Sequence, residues 1–373
     1  MAEHVLASTM IAPKTFEVRE YPMPDIPPDA GLLRVEVTGV CGSGVHQQTR
    51  MRGTAHILGH EIVGRIARLG RQAARKWPFK EGDRVALEEY MPCGACEFCR
   101  TEDYRFCPQT DPSLSQQPLF YGTTPVDVPP ALWGGYSHYL YLHSNCVMHR
   151  VPDHIPPAQA ALFLPMSNGV EWVYRYGDLQ LGDTVLVQGP GQQGLAAVLT
   201  AKEAGAACII VTGLHRDAHR LALARELGAD HTIDVETENF RDKVLDVTGG
   251  KGVNVVVNVT GGGKTTVADA IAVAAKQRCT IVLAAAGQEE INVGSLGRAK
   301  IVLKRANGHS YFAVEQAIRL IASGKYPLRE LCTHSYGLAD VGLAIRTVAG
   351  DGVPGGIHVS VLPWSDGKSP SPR

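Results

Sequence analysis

Four cysteines stand within fifteen residues of the chain, at Cys93, Cys96, Cys99 and Cys107. Tetrahedral zinc needs four soft ligands at about 2.3 Å, and two-residue spacings let a tight turn direct successive sulfurs to one point. A redox pair fits poorly, because two overlapping Cys-x-x-Cys repeats and a fourth cysteine exceed what that chemistry uses. Since four protein ligands complete the coordination, we predict a structural zinc site with no position open to substrate.

A glycine-rich segment, GPGQQG at 189–194, follows an apolar run and opens a helix-like run. The first glycine permits the turn, the second lets the backbone approach a pyrophosphate, and the third allows the helix to pack closely on the strand. The N-terminus of the helix offers N–H groups and a positive dipole end to the phosphates. We therefore predict a dinucleotide site formed by Gly189, Gly191, Gln192, Gln193 and Gly194.

The end of the next apolar run bears on which dinucleotide binds. Gly213 stands nineteen residues beyond Gly194, where an acidic side chain would hold the ribose hydroxyls of NAD. His215 and Arg216 follow and could meet a 2′-phosphate, whereas Asp217 could still reach the ribose. The plain alternative is that these polar residues only mark the solvated start of a helix. We predict that Gly213, His215 and Arg216 contact the cofactor and that NADP is favoured over NAD.

Two kinds of scaffold must carry these motifs. The first part of the chain shows short β-like runs broken by Pro and Gly, whereas later runs alternate between apolar strands and helices, as in a parallel sheet covered on both faces. We predict an α/β protein with a β-rich domain over 1–155 that carries the lobe 93–107. A doubly wound parallel sheet follows over 156–300, a return to the first domain over 301–364, and a disordered tail over 365–373.

Composition narrows the class of ligand. Charged residues make up 20% of the 373 residues and the net charge is −1, with no basic block, so nucleic acid is not expected as a partner. No apolar run reaches about 18 residues and the N-terminus does not resemble a secretory signal, so we expect no membrane span and a cytoplasmic location. Nine cysteines without such a signal indicate reduced thiols or metal ligands. A small-molecule substrate fits best.

These motifs together give the chain a family resemblance. GVCGS at 39–43, GHE at 59–61, the cysteine lobe and the glycine-rich segment resemble the zinc-containing medium-chain dehydrogenase/reductase superfamily, over about residues 5–363. The resemblance implies a GroES-like catalytic domain and a Rossmann coenzyme domain. It also implies hydride transfer between an alcohol and NAD(P), giving a ketone or aldehyde. Homodimers or homotetramers are implied as well, for which segment 279–295 could serve.

The resemblance also implies a second, catalytic zinc site. Cys41 and His60 match two ligands of that zinc, and Glu61 matches the adjacent glutamate that can approach the metal. Such a zinc keeps an open position and acts as a Lewis acid on the alcohol. Ser43 and His46 keep the spacing of the family's proton relay, in which a hydroxyl passes the substrate proton towards a surface histidine.

Two positions depart from the family pattern. Leu164 stands where the third zinc ligand precedes a proline, and Gly44 stands where an aspartate orients the metal-binding histidine. Three alternatives follow: Cys41, His60 and Glu61 hold zinc with water; the site is metal-free; or another residue completes the ligand set. In a metal-free site Ser43, His46 or a tyrosine such as Tyr121 would handle the proton.

The predicted substrate depends on aromatic residues. Phe120, Tyr121 and Trp133 belong to a stretch that borders the substrate site in the family, which favours a hydrophobic secondary alcohol; alternatively they form core. Two further functions stay open at this point. One is a reductase of activated C=C or C=N bonds that needs no catalytic zinc, and the other is a non-catalytic NAD(P)-binding protein.

Overall fold

The computed structural model describes residues 4–49, 53–111, 113–115, 118–261, 263–285 and 289–365. The chain forms two compact units, Met1–Phe163 with Ile318–Arg373, and Leu164–Ala317. The predicted disordered tail lies, beyond residue 365, outside the described residues. None of the helices in these described ranges is long and apolar enough to cross a membrane.

Sixteen strands occur in the described parts of the chain. In chain order they are β1 (His4–Ala12), β2 (Thr15–Pro22), β3 (Gly31–Gly39), β4 (His56–Ile57), β5 (Glu61–Leu69), β6 (Arg84–Leu87), β7 (Tyr139–Leu142), β8 (Met148–Arg150), β9 (Thr184–Gln188), β10 (Cys208–Gly213), β11 (His231–Asp234), β12 (Val255–Asn258), β13 (Cys279–Leu283), β14 (Ile301–Arg305), β15 (Cys332–Tyr336) and β16 (His358–Val361).

The α-helices are short apart from two of twelve residues. They are α1 (Gly42–Gln47), α2 (Ala73–Lys76), α3 (Glu97–Arg100), α4 (Pro157–Ala160), α5 (Phe163–Gly169), α6 (Gln192–Glu203), α7 (Ala218–Glu226), α8 (Phe240–Val247), α9 (Thr266–Ala272), α10 (Tyr311–Ala322) and α11 (Val341–Ala349). A π-helical turn, Val170–Tyr176, continues α5. Short 3-10 helices include Tyr104–Phe106 and His215–Asp217.

The first unit consists mainly of antiparallel sheet. One sheet has the order β2-β1-β4, and a larger one has the order β15-β16-β3-β5-β6-β8 with β7 also paired to β3. Its strands pair antiparallel except β15 with β16. Val35, Ile62 and Val85 are fully buried in one of its cores, which is why these strands read as apolar in the sequence. Residues from both ends of the chain share this sheet, because β15 and β16 lie beside β3.

The second unit is a six-stranded parallel sheet in the order β11-β10-β9-β12-β13-β14. This is the strand order of a dinucleotide-binding fold, with β9 at the point where the order reverses. The run Val255–Asn258 is buried throughout, because central parallel strands lie under helices on both faces of the sheet. The sheet continues past the predicted boundary at residue 300, because β14 pairs with β13. β14 is an edge strand that ends in Lys304 and Arg305. Its sequence is less apolar than that of a central strand, so the sequence did not indicate that the sheet continues there.

Candidate functional site

The four lobe cysteines converge on one point. Their sulfurs all lie within 4.8 Å of one another, with Cys93 Sγ 3.9 Å and Cys96 Sγ 3.5 Å from Cys99 Sγ. Tetrahedral Zn–S bonds of about 2.3 Å would place sulfurs about 3.8 Å apart. The geometry therefore fits the structural zinc that the sequence predicts.

Backbone amides prepare the lobe for a metal. Cys93 Sγ accepts hydrogen bonds from the N–H groups of Ala95 and Cys96, each at 3.4 Å. These bonds lower the pKa of the Cys93 thiol to about 6, so it is a thiolate at neutral pH. Cys107 Sγ in turn accepts from the Cys93 N–H at 3.2 Å. The thiolate is the form that binds zinc, and the backbone amides favour that form at Cys93. Burial has the opposite effect on two of its partners, raising the pKa of the Cys99 thiol to about 12 and raising that of Cys107.

A buried polar network anchors this lobe to the sheet, and sequence reasoning missed it. Tyr104 Oη, between Cys99 and Cys107, donates to Glu88 at 2.8 Å from both carboxylate oxygens. His149 Nε2 lies 2.7 Å from Glu88 Oε1, and neither of these two side chains is exposed to solvent. The signal in the sequence was Glu88 itself, a charged residue directly after the apolar strand β6.

Cys41, His60 and Glu61 form the second cluster, and the sheet explains why. Cys41 follows β3 and precedes α1, whereas His60 and Glu61 stand at the start of β5. Because β3 and β5 are antiparallel with Gly39 opposite Glu61, the end of one strand meets the start of the other. One ligand atom from each of the three residues lies within 4.8 Å of the others.

The electrostatics of this cluster favour the binding of a cation. Burial raises the pKa of the Cys41 thiol, and burial together with the neighbouring Cys41 raises that of Glu61 well above its usual range. Apart from that thiol, neither Glu61 oxygen has a hydrogen-bond partner among the described residues, and the same holds for His60 Nδ1. A soft sulfur, an imidazole and a carboxylate are all zinc ligands. A divalent cation would favour the charged forms of both acids, which burial disfavours, so the donor set fits a metal.

Ser43 and His46 lie on α1, three residues apart and thus on one helical face. Both side chains are exposed, and Ser43 hydrogen-bonds the Cys41 thiol. The arrangement keeps a hydroxyl beside the cluster and an imidazole in contact with water. Gly44 is buried, and a Cβ added there would meet nothing within 4 Å.

Three other residues that the sequence analysis discussed, Tyr121, Trp133 and Leu164, have apolar or fully engaged surroundings. Tyr121 is fully buried, and its hydroxyl donates to Tyr141 O and accepts from His143 N–H, each at 3.0 Å. This commitment to the backbone removes Tyr121 as a proton carrier, which corrects that alternative. Trp133 packs with it in the core of the first unit, so neither ring supports an apolar substrate site. Leu164, 3% exposed, offers no metal ligand.

The glycine-rich segment forms the predicted strand–turn–helix. Gly189, with φ of +103°, turns the chain after β9 and Gly191 precedes the first residue of α6. A Cβ at Gly194 would overlap the carbonyl oxygen of Gly189, so only glycine allows the helix this close to the turn. Gln192 is buried in the first turn of α6. The turn and the N-terminus of α6 therefore have the local shape that phosphate binding requires.

The Gln193 side chain hydrogen-bonds another side chain and is therefore not available to bind a phosphate. Its Oε1 accepts a hydrogen bond from Asn168 Nδ2 at 3.3 Å, and Asn168 Oδ1 lies 3.3 Å from His309 Nδ1. Asn168 and His309 are both buried. Gln193 therefore contributes its backbone at the turn, while its amide connects α6 to a polar pair that sequence reasoning did not find.

At the end of β10, packing and hydrogen bonds define the surroundings of Gly213 and of the residues that follow it. A Cβ at Gly213 would lie 2.9 Å from Pro190 Cγ, so the turn itself fills the place of an acidic side chain. Asp217 accepts from the Leu214 N–H and from Arg220, which occupies both of its oxygens. His215 Nδ1 lies 3.0 Å from Asp234 Oδ2, whereas Arg216 is exposed.

Comparison with known proteins agrees with both units. Residues 27–153 match an alcohol dehydrogenase GroES-like domain, and residues 194–323 match the family described as zinc-binding dehydrogenase. A probable alcohol dehydrogenase of Mycobacterium tuberculosis is 38% identical over 365 residues, spanning 94% of this chain and 96% of that protein. A sorbitol dehydrogenase of Bacillus subtilis is 34% identical over 259 residues, spanning 68% of this chain and 67% of that protein.

A solved structure extends the likeness to the whole fold. An oxidoreductase of unknown specificity from Escherichia coli is similar with a TM-score of 0.83 and 25% identity, over 97% of this chain and 100% of that one. The predicted fold class, superfamily and reaction class are thereby confirmed. The chain belongs to the zinc-containing medium-chain dehydrogenase/reductase superfamily and is an NAD(P)-dependent alcohol oxidoreductase.

Proposed function

We propose that this enzyme interconverts a secondary alcohol and its ketone at a catalytic zinc held by Cys41, His60 and Glu61. The observation that carries the proposal is the convergence of one ligand atom from each residue within 4.8 Å, with His60 and Glu61 buried. Glu61 is then the third protein ligand, in place of Leu164. A zinc ion held by these residues would supply the Lewis acidity that lowers the pKa of an alcohol, and a bound nicotinamide cofactor would supply the donor or acceptor of the hydride.

The residues of α1 manage the proton in this proposal. Ser43 Oγ accepts the proton of the alcohol as it gives up its own hydroxyl proton, and His46, on the same helical face, receives that proton and releases it to solvent. A hydroxyl cannot hold a second proton for long, so an exposed base within the same relay is needed. Gly189, Gly191, Gln192 and Gly194 bind the pyrophosphate through the turn and the N-terminus of α6.

NADP is the cofactor that the β10 end favours. The turn at Pro190 leaves no room for a carboxylate at Gly213, and the carboxylate of Asp217 is already engaged. The exposed guanidinium of Arg216 is the group best suited to a 2′-phosphate, because it can bind two of its oxygens at once. His215 supports it less, since Asp234 already hydrogen-bonds its ring.

Metal analysis combined with turnover tests the proposal. The wild-type chain should hold two zinc ions and oxidise secondary alcohols, whereas Cys41→Ser and Glu61→Gln should hold one and lose that activity. Cys146→Ala, at a half-buried thiol outside both clusters, should retain two. One zinc in the wild-type chain would exclude the catalytic metal.

The rival functions predict other results. A reductase of activated C=C or C=N bonds would turn over an enone or imine, with activity that a chelator leaves unchanged. A non-catalytic protein would bind NADPH tightly without turnover across alcohols and ketones. The apolar nature of the substrate, a dimer or tetramer, and a cytoplasmic location stay predictions.

A further inference from the structure

The Glu61 carboxylate lies in a pocket built by three neighbouring strands. In the larger sheet of the first unit, Gly39 of β3 stands opposite Glu61 of β5 and opposite Ser360 of β16. Opposed residues carry their side chains on the same face of a sheet, and so do residues two apart on one strand. Glu61, Ser360 and His358 therefore share the face on which Gly39 has no side chain.

The missing side chain at Gly39 is what gives the carboxylate its place. A Cβ at residue 39 would overlap Glu61 Oε2, and it would lie 3.0 Å from both Glu61 Cβ and His358 Cε1. The Glu61 carboxylate thus folds over the Cα of Gly39, and the His358 ring closes the same space from the next strand. The Glu61 and His358 residues are both 0% exposed, so water cannot replace either contact.

Shape, rather than hydrogen bonding, holds this carboxylate. Apart from the Cys41 thiol beside it, Glu61 has no hydrogen-bond partner among the described residues, so its lone pairs stay available. A glutamate side chain has three rotatable bonds, and one that rotates freely is a poor ligand because fixing it costs conformational entropy. A pocket that already restricts those rotations removes much of that cost.

We infer that Gly39 and His358 are positioning residues that fix Glu61 as the third protein ligand of the catalytic metal. The inference rests on the proposed function and extends it, because it names what compensates for Leu164. A methyl group at residue 39 would displace the carboxylate, and an arginine at residue 358 would place a permanent cation against it. Both changes leave the three ligands themselves intact.

The test measures zinc affinity in the full-length protein by equilibrium dialysis against a chelator that sets the free zinc concentration. Gly39→Ala and His358→Arg should each weaken the second zinc about 10–100-fold, the usual effect of losing a group that orients a ligand. The zinc of the cysteine lobe should bind as before. Cobalt substitution gives a readout independent of turnover, because visible bands report the ligand geometry.

Matched variants separate positioning from damage to the fold. Gly42→Ala introduces a methyl group with nothing within 4 Å, and His334→Arg buries the same cation on the adjacent strand but on the opposite face. Both should keep wild-type zinc affinity and cobalt spectrum. If His358→Arg does not fold, His358→Ala and His358→Gln replace it: the alanine should weaken the second zinc, and the similar-sized glutamine should restore it.

The other possible outcomes distinguish a failure of this inference from a failure of the proposed function. Unchanged affinity for the second zinc in Gly39→Ala and in the His358 variants would overturn the inference, as would equal weakening in the controls. A wild-type chain with one zinc would overturn both the inference and the proposed catalytic metal. Two zinc ions without turnover of any alcohol would refute the proposed function alone, and the variant affinities would still decide the role of Gly39 and His358.

Discussion

The Tyr104→Phe variant should lose stability through one buried hydrogen bond. Tyr104 Oη lies 2.8 Å from both oxygens of Glu88, whose side chain is fully buried beside His149. A hydrogen bond to a charged group contributes about 1.5–3 kcal/mol, and removing it leaves the carboxylate less satisfied where water does not reach. The phenyl ring keeps its packing, so we expect the free energy of unfolding to fall by about 2 kcal/mol.

The consequence should be visible in two assays. In urea unfolding the midpoint should decrease, and the melting temperature should fall by about 4–8 °C at the 2–4 °C per kcal/mol typical of domains of this size. Because Tyr104 joins the loop between Cys99 and Cys107 to the sheet, the lobe should also release zinc faster to a chromogenic chelator. Tyr139→Phe, on β7, is the control and should change neither value.

Two outcomes would contradict the expected effect of Tyr104→Phe. If Tyr104→Phe unfolds within 0.5 kcal/mol of the wild type, a margin of about the size of ordinary surface substitutions, the network contributes no net stability. If it is destabilised but releases zinc at the wild-type rate, the network supports the sheet and does not anchor the lobe.

Three further predictions concern the metal, the cofactor and pH. Cys107→Ser should release the lobe zinc and leave the second, measured as one zinc per chain. Arg216→Ala should raise KM for NADPH about 10-fold, the loss of roughly one charge-assisted hydrogen bond, and leave KM for NADH unchanged. Burial holds the pKa of His358 at about 4, below about 6.5 in the unfolded chain, so the unfolded state binds the extra proton first. The free energy of unfolding should therefore fall as pH drops from about 6.5 to 4, and His358→Gln should flatten that slope; an unchanged slope would contradict the assignment.

Local patterns were enough to predict the cysteine cluster of the lobe and the glycine-rich turn, whereas Cys41, His60 and Glu61 were identified through the family resemblance. The lobe cysteines and the residues of 189–194 act within one loop or one strand–turn–helix, so their spacing carries the geometry. The parallel sheet was likewise predictable, because buried strands such as β12 are apolar throughout. Its boundary was not, because edge strand β14 is half exposed and ends in basic residues.

Contacts between distant parts of the chain were beyond sequence reasoning. His358 lies nearly three hundred residues from Glu61, and only the order β16-β3-β5 brings them to one face. The same is true of Glu88 and His149, which strands β6 and β8 place together. For Tyr121 the sequence suggested a functional role that the structure does not support. An aromatic residue in such a segment is more often part of the core, and two hydrogen bonds to the backbone hold Tyr121 there.

The contact between Gly213 and Pro190 makes coenzyme choice depend on two positions at once. An aspartate at residue 213 alone would begin with its Cβ 2.9 Å from Pro190 Cγ and 3.2 Å from Leu221 Cδ2, so it would disturb the turn that it is meant to assist. Replacing Pro190 alone would open space without supplying a carboxylate. Placing an acidic side chain at the end of β10 therefore requires both residues to change together, because one change alone disturbs the turn and the other adds no carboxylate.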